Sequence, residues 1–209
     1  DDLDLHNEEI RKHQILTDSS IGLTVENIHE AERRSNMVLL VIDAQIWLTN
    51  KDLYCYERFV NGTKKVIEAA RENNIEVIYV QHDDGPGTGF SKDDAEFEIN
   101  QEFYPQEGEK RYIKTVSSAF QGTGLKEYLK DEDTVVVVGL LTNFCMDATI
   151  KSAFEMGFKV IIPEGTNTTF DNPYMDKENT YKYYNEFMWP GRFAECISVE
   201  ETIQKMKKR

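Results

Sequence analysis

Short unbroken runs of β-branched and apolar residues alternate with helical segments along most of this chain, and that alternation limits the fold more than any other feature. The runs are MVLLVID (37–43), EVIYVQ (76–81), RYIKT (111–115), TVVVVG (134–139), KVIIP (159–163) and FAECIS (193–198). A run with no polar alternation is expected of a parallel strand buried on both faces. Between the runs lie helical patterns. One spans Cys55–Asn73, carries Val60, Ile67 and Ala70 on one stripe, and ends at Asn73-Asn74. Others cover Leu125–Lys130, Cys145–Met156 closed by Gly157, and Val199–Lys207 started by Ser198. Strand–helix alternation implies right-handed βαβ units, a mostly parallel sheet and helices on both of its faces.

Residues 1–36 differ from the rest. They are polar, hold three of the four histidines and show only a weak helical pattern through Val25, Ile28 and Ala31. They read as an N-terminal extension to a domain over 37–209. The charged start, DDLDLHNEEIRKHQ, lacks the apolar core of a signal peptide. No apolar run is long enough to span a bilayer. Three cysteines at unpaired spacing (Cys55, Cys145 and Cys196) suggest a reduced, cytoplasmic setting. A net charge of −14 disfavours nucleic acid and anionic membranes as partners.

In parallel α/β sheets, ligands bind at the carboxyl ends of the strands. Asp43, Lys114 and Cys145 each fall at or just past such an end. Cys145 also opens a predicted helix, where free amides and the helix dipole favour a thiolate. A nucleophilic cysteine needs a base, and two arrangements are open. One is a Cys145–His82 dyad. The other uses Asp43, made more basic by desolvation, with Lys114 as the balancing cation. For Asp43 and Lys114 alone, a sheet-edge salt bridge would explain both; their coincidence with Cys145 points to chemistry. Trp47, Leu48, Phe120 and Phe144 are candidates for an apolar pocket lining or for core packing at loop–helix junctions. Gln45 and Asn143 are candidate polar contacts. The glycines at 85, 87 and 89 lack the spacing of a phosphate loop and suggest a mobile loop over the site, with Asp83 and Asp84 capping it.

VLLVIDAQ with Asp43, VIYVQHDDG, YIKTVSSAF with Lys114 and VVVVGLLTNFCMDATIKSAFEMGFKVIIPEGTNTTFD with Cys145 resemble the isochorismatase-like cysteine hydrolases, in order and spacing, from about Met37 onward. The resemblance implies a three-layer αβα fold with a six-stranded, mostly parallel sheet and a catalytic triad of Asp43, Lys114 and Cys145. It also implies a cis peptide at Leu140-Leu141, with the amides of Leu141 and Cys145 as oxyanion donors. Family members typically cleave a C–N bond of a small amide through a thioester, and assemble as dimers or tetramers. A cysteine at 145 places the chain with the amidohydrolase branch. The histidine-rich metal set of the nicotinamidases has too few counterparts here, so no metal and no cofactor is expected, and His82 reads as structural or pocket-lining. The competing reading is a non-catalytic member that binds a ligand or partner in the same pocket.

Overall fold

The computed structural model describes residues 36–208. Apart from Asn36, the expected N-terminal extension and its helical pattern lie outside the described residues.

The expected alternation is present. Strand β1 (Met37–Ile42) leads to helix α1 (Tyr56–Glu72) and strand β2 (Glu76–His82). Two single 3-10 turns, Ala95–Phe97 and Gln101–Phe103, precede β3 (Lys110–Lys114) and the short helix α2 (Leu125–Tyr128). Then come β4 (Thr134–Leu140), a π-helical turn (Thr142–Met146), α3 (Asp147–Glu155) and β5 (Lys159–Pro163). The chain continues through β6 (Asn167–Thr168), α4 (Lys177–Lys182), a second π-helical turn (Tyr183–Met188), β7 (Glu195–Ile197) and α5 (Val199–Lys207).

Six strands form one path in the order β3-β2-β1-β4-β5-β7, and the two-residue β6 pairs beside β4. Every ladder is parallel. The short β6 carries no apolar run, so nothing in its composition marks it as a strand. The π turn is a second departure: the helix expected from Cys145 is α-helical only from Asp147. Ser198 caps α5 as expected, in a reciprocal capping box with Glu201.

Both faces of the central strands are covered, which is why β1 and β4 are buried along their whole length. Leu39 and Val41 of β1 pack with Phe59, Val66 and Ala70 of α1. The alternate residues Val38, Leu40 and Ile42 pack on the other face with Leu125, Ile150 and Trp189. At about 25 cal/mol per Å² of apolar surface removed from water, this two-sided burial is the main force holding the layers together. Gly139 is fixed by a different constraint. Its φ of +130° and its position against β1 mean that a Cβ there would overlap the carbonyl oxygen of Ile42.

Candidate active site

The strand order brings the reactive side chains together. β3, β2, β1 and β4 are consecutive in the sheet, and Lys114, His82, Asp43 and Cys145 sit at or just beyond their carboxyl ends. Lys114 and His82 are register partners across β2 and β3. Asp43 leaves β1 in a left-handed conformation, φ 49°, with its amide donating to the carbonyl of Val80 at 2.8 Å. Cys145 arrives from the π turn after β4, in which the amide of Met146 donates to the carbonyl of Leu141. The peptide between Leu140 and Leu141 is cis.

Lys114 is the hub. Its ammonium donates to Asp43 Oδ2 at 2.9 Å, to Cys145 Sγ at 3.2 Å and to His82 Nδ1 at 3.0 Å. The Lys114 and Asp43 side chains are both fully buried. Among the described residues Asp43 Oδ1 has no hydrogen-bond partner, although the Cys145 thiol acts on this carboxyl. Burial raises the Asp43 carboxyl above the usual carboxylate value, with Lys114 opposing the rise. Burial also pushes the Cys145 thiol up to about 12; the Asp43 charge adds to this, and Lys114 pulls back. Both causes favour the protonated thiol over the thiolate. Desolvation and the neighbouring carboxylate act against the thiolate expected from a helix N-terminus, and the α-helix itself begins only at Asp147.

Asp43, His82 and Cys145 each offer an atom that could ligate a cation, all within 4.8 Å of one another. The Lys114 ammonium stands within hydrogen-bonding distance of all three, so a positive charge already occupies the place such an ion would take.

The other candidates divide into groups. Gln45 is wholly buried and spent on backbone: its amide nitrogen donates to the carbonyls of His82 and Phe97, and its oxygen accepts from the His82 amide. Leu48 belongs to the core on the α1 face, and Phe120 to the opposite core, stacked on Phe158 at 5.9 Å. Asn143 accepts from the Thr169 hydroxyl at 2.6 Å. Trp47 and Phe144 are more than half exposed, and Phe144 adjoins Cys145 in sequence. Trp47 stacks on Phe90 at 4.8 Å, and Phe90 on His82 at 6.0 Å, making an aromatic ladder from the surface to the site. Asp83 caps the glycine loop by accepting from the Gly85 amide, but Asp84 instead binds His82 Nε2 at 2.8 Å. The loop is tied at its base, where the Asp84 amide donates to the carbonyl of Phe90 at 3.0 Å.

A buried hydrogen-bonded chain supports the turn that carries Cys145 and has no signal in the linear sequence. The Thr142 hydroxyl donates to Asn167 Oδ1 at 2.8 Å; Asn167 and Asn185 exchange hydrogen bonds at 2.8 and 3.0 Å. These residues come from the π turn, from β6 and from the second π turn, so only the fold makes them neighbours.

Fold and cluster together make a cysteine-centred site, consistent with cysteine-based hydrolysis, at the carboxyl edge of a parallel α/β sheet. A family model for the isochorismatase domain matches residues 37–201, and the chain belongs to that family. The isochorismatase family protein YrdC of Bacillus subtilis is 34% identical over 120 residues, covering 56% of this chain and 63% of YrdC. A streptothricin hydrolase of Streptomyces noursei is 28% identical over 139 residues, covering 65% of this chain and 50% of that enzyme. The chain thus spans between half and about two thirds of the length of these relatives. The crystal structure of an isochorismatase family protein superposes with a TM-score of 0.72 at 26% identity, covering 78% of this chain and 98% of that one. Among the described residues no helix is long and apolar enough to cross a membrane.

Proposed function

We propose that the protein is a metal-independent cysteine hydrolase that cleaves a C–N bond of a small molecule through a thioester, with Cys145 as nucleophile, Asp43 as base and Lys114 as the fixed cation. The observation that carries this reading is the buried ammonium donating to carboxylate and sulfur at once. A salt bridge built for stability has no use for a thiol, and burying the pair costs desolvation energy that its attraction does not reliably recover.

The chemistry follows from the resting charges. Asp43 accepts the Cys145 proton as sulfur bonds to the carbonyl carbon, and Lys114 stabilises the sulfur charge during the transfer. The carbonyl oxygen becomes an oxyanion held by the amides of Leu141 and Cys145. Asp43 returns the proton to the leaving nitrogen as the C–N bond breaks, which leaves a thioester. Water then gives its proton to Asp43, adds to the thioester carbon and expels sulfur. The proton passes back to sulfur and the resting thiol is restored.

Trp47 and Phe144 supply the apolar mouth, and a small amide is the substrate class. The protein acts as a homo-oligomer in a reducing compartment, with residues 1–36 as an extension of the hydrolase domain. The test is an ammonia-release screen over small amides and N-carbamoyl compounds, with streptothricin followed in parallel by mass spectrometry. Turnover should vanish in Cys145→Ala and Asp43→Asn with the fold intact; full activity in Cys145→Ala would end the proposal.

A further inference from the structure

We propose that His82 is a positioning residue for Lys114: its Nδ1 takes the third N–H of the ammonium and so keeps the other two aimed at Asp43 and Cys145. This deepens the hydrolase reading above and rests on it.

A buried ammonium has three N–H groups and no acceptor. Two are taken by Asp43 Oδ2 and Cys145 Sγ. The third meets His82 Nδ1 at 3.0 Å, and a nitrogen facing an ammonium must present its lone pair. The ring proton then belongs on Nε2, where Asp84 Oδ1 accepts it at 2.8 Å. Asp84 therefore selects the tautomer that Lys114 requires.

The ring is held from other directions as well. Phe90 stacks on it with 25° between the planes, and the tied glycine loop delivers Phe90 to that position. The side chain of Gln45 grips the His82 backbone on both its N–H and its C=O. Register pairing of His82 with Lys114 sets the distance between the two side chains. Without an acceptor at this point the ammonium would keep one unsatisfied N–H in a dry site, and turning to satisfy it would take the other two off carboxylate and sulfur.

The test uses the full chain and two readouts. NMR of ¹⁵N-histidine-labelled protein, with the His82 signals assigned through His82→Asn, should show a bare Nδ1 and a protonated Nε2. A proton on Nδ1 would overturn the proposal, and this measurement needs no variant to be active. The second readout is Cys145 alkylation by iodoacetamide, followed by peptide mass spectrometry. His82→Phe removes the acceptor and should slow alkylation about tenfold, whereas His82→Asn, whose Oδ1 can stand in for Nδ1, should stay within about twofold of wild type. Equal rates in the two variants would overturn it. Amide turnover surviving in Cys145→Ala would sink the hydrolase reading while leaving the tautomer result standing. Cys145-dependent turnover with Nδ1 protonated would sink only the role of His82.

Discussion

Alkylation of Cys145 by iodoacetamide as a function of pH tests the charge state on which the mechanism depends. Only the thiolate reacts. Burial and the Asp43 charge raise this thiol from 9.0 to about 12. At neutral pH that lowers the thiolate population about a thousandfold relative to an ordinary cysteine. The rate at Cys145 should therefore climb about tenfold per pH unit between roughly pH 6 and pH 10, without a plateau. Peptide mass spectrometry separates it from Cys55, which is exposed and serves as the internal reference, and from the partly buried Cys196. Asp43→Asn removes the second cause of the rise, so alkylation should quicken while turnover is lost. Lys114→Met removes the cation that opposes the rise, so alkylation should slow. A plateau at Cys145 below about pH 8 would mean a thiolate at rest and would refute the reasoning.

Further outcomes follow from the same geometry. The fold holds the Cys145 proton more tightly than the unfolded chain does, so its contribution to stability is complete below pH 9 and is lost as pH rises toward about 12. Relative to Cys145→Ala, wild type should lose at most about 4 kcal/mol over that range, measured by urea unfolding at stepped pH. Lys114→Met strips the partner from a fully buried carboxylate and should cost about 3–5 kcal/mol, read as a lower unfolding midpoint; an unchanged midpoint would show that the pair is not buried as described. Gly139→Ala places a methyl group on the Ile42 carbonyl and should abolish soluble expression or lower stability by more than about 4 kcal/mol. Thr142→Val breaks the donor to Asn167 and should cost about 1–3 kcal/mol, with a loss of turnover larger than the loss of stability explains.

The sequence by itself determined the layer architecture and brought all four clustered side chains forward as candidates, His82 as an alternative partner of Cys145 or a lining residue. Parallel strands buried on both faces need unbroken apolar runs, and a residue just past the end of such a run must stand at the sheet's carboxyl edge. Asp43, His82, Lys114 and Cys145 could all be placed there by that rule, but not the contacts among them. Only the tertiary structure decided their order across β3, β2, β1 and β4, because strand order is set by crossovers and leaves no mark in any single segment. That order makes His82 a register partner of Lys114, and the Asp84 side chain binds His82 instead of capping the loop. It also sets what raises the Cys145 thiol: helix position argued for a thiolate, but desolvation and the approach of Asp43 are properties of the packed molecule. Gln45, Leu48 and Phe120 lie close in sequence to reactive positions yet turn into backbone anchors and core, since adjacency along the chain does not fix which side of a layer a side chain meets. The Thr142–Asn167–Asn185 chain was invisible for the same reason: hydrogen bonds between residues far apart in sequence exist only once folding has brought them together.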